Sequence, residues 1–150
     1  MSVILRKMTF DDLEQVIAID QLSFSLPWPE RSFRFELTDN PASRCWVADL
    51  DERVVGMVVG WLIVDEIHIA TIATHPDFRK QGIGEKLLSF ALQSAKDEGA
   101  VGSFLEVRES NSAALELYRK FGYVESGRRT GYYKDNDEAA ILMTLSSLNC

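Results

Sequence analysis

Cysteine is nearly missing from this chain: Cys45, in a strand-like run, and Cys150, at the last position, are the only two in 150 residues. Two thiols so placed make no disulfide framework, so a reducing compartment is the default and Cys150 reads as an exposed terminal thiol. Long apolar runs are missing as well. The longest, Val54 to Val64, contains two glycines and is bounded by Asp51-Glu52-Arg53 and Asp65-Glu66; it falls well short of the roughly 20 residues that span a bilayer and reads as a buried strand. The stretch from Met1 to Met8 carries Arg6 and Lys7 without an apolar core, which argues against a signal peptide and makes a cytoplasmic location the expectation. Basic residues are in deficit, 16 against 23 acidic, for a net charge of -7. That balance disfavours general nucleic-acid or anionic-membrane binding; it suits a cationic substrate, or serves solubility alone. The only histidines, His68 and His75, stand seven apart on an extended run with no cysteine beside them, so no metal site is expected and both read as sheet or surface residues.

The chain is otherwise of ordinary composition and length, enough for one domain over 1–150 that buries roughly 70% of its unfolded surface. Val3 to Met8 alternates as an edge strand. Thr9 with Asp12 three residues on resembles a capping box, and Phe10, Leu13, Val16 and Ile17 recur at helical spacing to about Leu22. Pro29 suits the first position of a second short helix bearing Phe33 and Leu37. Between the helices, Ser23 to Trp28 is apolar, aromatic and stiffened by proline: it either lines a pocket or plugs the core. Arg44 to Leu50 and Arg53 to Val64 form a hairpin, and Ile67 to Thr74 adds a third strand. Ile83, Leu87, Ala91 and Ala95 step by four ahead of Gly99, predicting a helix from Gln81 to Glu98. Ser103 to Val107 is a strand. Asn111 caps a helix with inner residues Ala114, Leu117, Tyr118 and Phe121, and Tyr123 to Tyr133 and Ala139 to Leu145 close the order as two strands. The predicted class is α/β, a mixed sheet with helices on both faces.

The informative stretch is Ile72 to Leu88: an apolar strand, a turn at Pro76, the loop Arg79-Lys80-Gln81-Gly82-Ile83-Gly84, then a helix. Glycines at a helix start leave backbone N–H groups uncovered and aligned with the positive end of the helix, a cradle for phosphate. No Lys-Ser/Thr follows as in a P-loop, and Lys86-Leu87 stands where a dinucleotide fingerprint has its third glycine, so a different phosphate ligand is implied.

That loop, together with Leu105-Glu106-Val107-Arg108-Glu109-Ser110-Asn111 and Leu117-Tyr118-Arg119-Lys120-Phe121-Gly122-Tyr123, resembles the GNAT N-acetyltransferase superfamily, in its RimI-type branch of ribosomal-protein-alanine N-acetyltransferases. Phe24-Ser25-Leu26-Pro27-Trp28 and Arg128-Arg129-Thr130-Gly131-Tyr132-Tyr133 add to the likeness. The resemblance implies a GNAT-like, mostly antiparallel sheet whose two central strands splay apart around acetyl-coenzyme A. Pantetheine would lie along Ile72, Ala73 and Thr74, and the diphosphate on the amides of Gln81, Gly82, Ile83 and Gly84. Arg79 and Lys80 either add charge there or form solvated pairs, and Asn111 either contacts the cofactor, caps its helix, or does both.

By the same resemblance Glu106 is the general base, directly or through water, and Tyr118 the general acid. A carboxylate between Leu105 and Val107 needs a cleft or a partner, and Arg108, on the same strand face, is the partner to weigh against catalysis. Without the resemblance, Tyr118 would read as core. The acceptor implied is the N-terminal alanine of a small-subunit ribosomal protein, with Phe24, Leu26, Trp28, Tyr132 and Tyr133 flanking the peptide groove; core or hairpin packing is the competing role for Trp28 and Tyr133. Leu26 departs from the polar residue often found before the Pro-Trp pair. A small-molecule amine or lysine side chain as acceptor, and a coenzyme-A-binding module without catalysis, are the alternatives, and a monomer or weak dimer is expected.

Overall fold

A computed structural model describes residues 2–148. Cys150 therefore lies outside the described residues. The elements run β1 (Val3–Lys7), α1 (Leu13–Ser23), α2 (Glu30–Thr38), β2 (Ser43–Leu50), β3 (Arg53–Ile63), β4 (Glu66–Thr74), α3 (Ile83–Asp97), β5 (Gly102–Arg108), α4 (Ser112–Lys120), β6 (Val124–Tyr133) and β7 (Glu138–Leu145). They form one seven-stranded sheet in the order β1-β2-β3-β4-β5-β7-β6. Every neighbouring pair is antiparallel except β4 with β5.

Three helix starts differ from the sequence reading. Phe10–Asp12 is a short 3-10 turn, so α1 opens at Leu13; Asp12 Oδ2 accepts the Thr9 N–H at 2.8 Å, the half of the capping box that fixes this entry. Pro29 sits just outside α2 in an extended conformation, as its cap. α3 opens at Ile83 rather than Gln81, because Lys80 (φ 64°) and Gly82 (φ 80°) are left-handed and a right-handed helix cannot run through them.

The sheet separates two cores. On one face α3 and α4 cover Ile67, Ile69, Leu105, Val107, Ile141 and Met143 with Ile83, Leu87, Leu88, Ala91 and Tyr118. On the other, α1 and α2 bring Leu13, Val16, Ile19 and Phe33 onto Val47, Met57, Val59 and Ala73. The central strand β3, buried on both sides, needs the unbroken apolar run that the sequence shows. Leu87 and Leu88 are fully buried; truncating either to alanine costs about 2–5 kcal/mol. Helix α3 comes so close to the sheet that a Cβ on Gly56 would stand 2.9 Å from Leu87 Cδ1 and 3.2 Å from the Ala73 carbonyl oxygen. This glycine sets the depth at which the start of α3 is seated. Cys45, on β2, donates to or accepts from Ser43 Oγ at 3.1 Å, and burial pushes its thiol up to about 11, so it stays protonated and unreactive at neutral pH. Among the described residues no helix is long and apolar enough to cross a membrane.

Candidate active site

The site begins with a gap in the sheet. β4 and β5 pair only over Glu66–Ile69 and Gly102–Leu105, although β4 continues to Thr74 and β5 to Arg108. The point of separation coincides with a bulge: opposite β3, Gly60 faces Ile69 but Val59 faces Thr71, leaving Ala70 as an extra residue. A bulge bends its strand and steepens the local twist, and β4 swings away from β5 from there on. Ile72, Ala73 and Thr74 remain paired with Val58, Met57 and Gly56 of β3 and have no strand on their other side. Their edge is open to an extended ligand that can bond to it as an added strand.

Beyond β4, Pro76–Phe78 makes a 3-10 turn in which His75 Nδ1 accepts the Asp77 N–H. The chain then turns left-handed at Lys80 and Gly82 and enters α3. The N–H groups at the start of a helix have no partner within it, and here that start, at Gly82, Ile83 and Gly84, follows directly on the loop leaving β4. A Cβ on Gly82 would meet nothing within 4 Å, and one on Gly84 would make ordinary contact with Thr74 Oγ1 at 3.7 Å. Lys80 and Gln81 are exposed. Arg79 stays exposed but folds back along the surface, its Nε donating to the Thr74 carbonyl and an Nη to Ser23 Oγ, both at 3.1 Å. It ties the loop to the end of β4 and to α1 while bringing its charge to the same corner. Asn111 caps α4, its Oδ1 accepting the Ala114 N–H at 3.2 Å.

Glu106 is the first residue of β5 beyond the paired segment. Its neighbours Leu105 and Val107 point into the α3/α4 core, so strand alternation sends Glu106 to the other face with Phe104 and Arg108. Its Oε2 is buried and has no hydrogen-bond partner among the described residues. The salt bridge to Arg108 weighed from the sequence does not form. Arg108 is engaged instead by Asp135, in the turn between β6 and β7, at 2.9 Å and by Glu138, the first residue of β7, at 3.3 Å. A buried carboxylate oxygen left unpaired is costly, and this one borders the gap.

Tyr118 lies in the core on the opposite face, its ring 5.7 Å from that of Tyr123. Tyr123 in turn donates to Ser103 Oγ, which donates to the Ile67 carbonyl, each at 2.7 Å, tying the end of α4 to the paired part of β4 and β5. Burial, with smaller contributions from Tyr123 and Tyr133, holds the Tyr118 phenol well above its ordinary pKa, so it carries its proton throughout the neutral range.

The residues expected to flank an acceptor divide. Tyr132 and Tyr133 meet edge to face at 5.1 Å, and Tyr132 is within hydrogen-bonding reach of Glu106; burial first and Glu106 second raise its pKa. Leu26 is 52% exposed, while Phe24 packs on the α1/α2 core. Trp28 is turned the other way. Its backbone N–H donates to Asp20 Oδ2 at 2.7 Å, its ring lies 5.2 Å from Phe33 and 6.4 Å from Trp61, and it lines a cavity of about 420 Å³ with Arg31, Ser32, Phe35, Glu36 and Trp61. An aromatic row leads from there to the gap: Trp61 against His68 at 5.1 Å, then His68 stacked on Phe104 at 4.3 Å, two residues before Glu106. His68 is thus a neighbour of the site that the sequence reading left as an ordinary sheet histidine. Burial lowers its pKa, opposed by the nearby Glu106. The shared face of Phe104 and Glu106 was readable from their spacing, but nothing local gave the β4–β5 register that adds His68. No group of three or more His, Cys, Asp or Glu side chains suited to a metal occurs among the described residues.

A sheet parted at its centre, a glycine cradle at the mouth and an unpaired carboxylate inside can be set beside known proteins. A [ribosomal protein bS18]-alanine N-acetyltransferase of Salmonella typhimurium (strain LT2) is 33% identical, over 89% of this chain and 90% of its own. A Bacillus subtilis (strain 168) protein provisionally given the same activity is 38% identical, over 92% and 91%. The crystal structure of the ribosomal-protein-S18-alanine N-acetyltransferase from Escherichia coli superposes with a TM-score of 0.89 at 28% identity, covering 96% of this chain and 93% of that one. Residues 13–123 match the family described as Acetyltransferase (GNAT), which takes in the β4 gap, the glycine cradle and Glu106: the chain belongs to the GNAT acetyltransferase family.

Proposed function

We propose that this protein transfers the acetyl group of acetyl-coenzyme A to the N-terminal α-amine of a protein, of the ribosomal-protein-alanine type. The observation that carries the reading is the placement of Glu106, whose Oε2 is buried without a hydrogen-bond partner among the described residues, at the point where β4 and β5 separate. The donor fits the residues present. The open edge at Ile72, Ala73 and Thr74 offers backbone bonds to pantetheine, and the amides from Gln81 to Gly84 with the positive end of α3 offer a seat for the diphosphate. When bound, the donor supplies a thioester carbonyl open to attack by an amine.

The chain's own residues have two proton tasks. Glu106 Oε2 takes a proton from the acceptor ammonium, directly or through a water. Tyr118, protonated across the neutral range, gives one to the departing thiolate. The α-amine is the acceptor a single carboxylate serves best. Deprotonating a group of pKa near 7.8 at pH 7 costs about 1 kcal/mol, against roughly 4.6 for a lysine near 10.4. The relatives' named acceptor, the alanine terminus of ribosomal protein bS18, supports a protein terminus here, and the net charge of -7 suits a basic one.

The test is thiol release from acetyl-coenzyme A with short peptides beginning Ala, Ser or Met and with one offering only an internal lysine. Turnover on the Ala peptide well above the lysine peptide is expected; release at background on every peptide would sink the proposal, and preference for lysine would replace the acceptor.

A further inference from the structure

The two walls assigned to the acceptor groove, the linker between α1 and α2 and the turn between β6 and β7, are joined to each other, and the joint is made by one side chain of β5. Arg108 donates from its two terminal nitrogens to both carboxylate oxygens of Asp135, at 3.0 and 2.9 Å. The same guanidinium reaches Ser25 Oγ at 3.3 Å and Glu138 Oε1 at 3.3 Å. Ser25 Oγ itself donates to Asp135 Oδ2 at 2.5 Å, which closes a triangle across residues 25, 108 and 135. Glu138 is anchored from behind by the Ser110 N–H. The face of Tyr133 lies 4.0 Å from the Arg108 Cζ, so the joint also fixes the ring beside Tyr132 and thereby the hydroxyl that reaches Glu106. The side chains of Arg108, Asp135 and Glu138 are only 19, 23 and 13% exposed, and a two-pronged arginine–carboxylate bond in such a place is both strong and geometrically exacting.

We infer that Arg108 is a positioning residue: it latches the α1–α2 linker to the β6–β7 turn over the approach to Glu106, and the width it fixes selects acceptors with a small first side chain. The inference rests on the acceptor reading above. The placement supports it in two ways. Arg108 is two residues from Glu106 on the same strand face, so the latch is built on the strand that carries the base and keeps constant register with it. Ser25 and Asp135 come from segments 110 residues apart, and this joint links the two directly. Lysine at position 108 would keep the charge but lose the fork that grips Asp135 and Ser25 together.

The experiment compares wild type with Arg108→Gln, Arg108→Lys and the gentler Ser25→Ala on peptides beginning Ala and Phe, with acetyl-coenzyme A varied separately. For Arg108→Gln the Ala-peptide KM should rise roughly 10- to 100-fold, with kcat within a few-fold, the acetyl-coenzyme A KM unchanged, and preference for Ala over Phe narrowed. Ser25→Ala should show the same pattern more weakly, and Arg108→Lys should not restore wild-type KM. An unchanged peptide KM and preference overturns the inference, and so does a fall in kcat alone, which would make Arg108 part of the chemistry. A parallel rise in the acetyl-coenzyme A KM would mean general disruption and overturns it too. Hydrogen exchange gives a readout free of catalysis: amides 24–28 and 134–137 should lose protection together in Arg108→Gln while α3 keeps its own. Loss at only one wall refutes the latch. A wild-type chain inert on every peptide would defeat the acceptor reading, while the exchange data still decide whether the latch holds.

Discussion

Glu106 and Tyr118 stand on opposite faces of the sheet: Tyr118 lies in the α3/α4 core, and Glu106 alternates away from that core just past the last β5 residue paired with β4. The base and acid proposed for the reaction can therefore be removed one at a time. Glu106→Gln should lower kcat by about 10²- to 10⁴-fold. Acetyl-coenzyme A affinity and thermal stability should hold, because Oε2 gives up no hydrogen bond. Steady-state rates beside a calorimetric titration of the donor check this; an unchanged rate removes Glu106 from the mechanism.

Tyr118→Phe keeps the ring packed on Tyr123 and deletes only the hydroxyl. The fold should survive with a change in stability of about 1 kcal/mol or less. Turnover should fall by about 10²-fold or more if the phenol protonates the thiolate. Because that phenol is held above its ordinary pKa, the wild-type rate should show no alkaline fall from Tyr118 below about pH 10. A wild-type pH–rate profile that descends between pH 8 and 9 and is level in Tyr118→Phe would contradict this.

The two glycines of the cradle should respond differently to alanine. Gly82 has φ 80° with nothing near its absent Cβ, so Gly82→Ala suffers only the left-handed backbone, about 1–2 kcal/mol. It should weaken donor binding as the loop relaxes. Gly84 is not left-handed, and its added methyl would make ordinary contacts with Thr74 and Leu117, so Gly84→Ala should fold as well as wild type. Melting temperatures and donor titrations of the pair decide it, and equal losses in both would overturn the backbone argument.

Acid should act on stability through groups of opposite sign. Asp12 accepts a two-pronged bond from Arg6 at 2.8 Å together with the Thr9 N–H, and these bonds hold its pKa below the ordinary 3.8 against the upward push of burial. Its contribution is present above pH 3.8 and is lost as pH falls through the lowered value. Asp135 and Glu138, held low by Ser25 and Arg108 and by Ser110 respectively, follow the same rule below 3.8 and 4.5. Asp20 is opposite: burial raises it, the Trp28 N–H offsets this in part, and its contribution is complete below pH 3.8 and lost as pH rises through the raised value. Asp12→Asn should cost about 1–3 kcal/mol at pH 7 and little at pH 2.5, whereas Asp20→Asn should remove a decline in stability on the rising side. Denaturant titrations from pH 2.5 to 7 report both; an Asp12→Asn deficit that is constant with pH would refute the first.

Most of the fold was legible because its elements carry strong periods: Ile83, Leu87, Ala91 and Ala95 do face the core, and the order of strands and helices follows the sequence reading. The class, a mostly antiparallel sheet opened between its central strands, also holds. Local pattern could not supply partners distant in sequence. Arg108 and Glu106 share a face as their spacing requires, yet Arg108 is taken by Asp135 and Glu138 from beyond β6. Trp28, expected by the resemblance to flank the groove with core packing as the competing role, has its backbone N–H held by the buried Asp20 and its ring against Phe33 and Trp61, contacts that no local pattern announces. The left-handed turn at Lys80 had no glycine to announce it.

Ala70 gave no signal of its own, one small residue in an even strand, and its consequence is the largest. Ile69 and Ile72 face the α3 core, while Ala73 faces the other; if Ala70 were deleted, Ile69, Thr71, Ile72 and Ala73 would still alternate correctly against β3. Ala70 itself packs against the α1/α2 core, so the extra residue adds a contact there while it shifts the register against β3. A chain shortened by this residue should keep its inside-outside pattern yet lack the bulge at which β4 leaves β5, and with it the opening the donor needs.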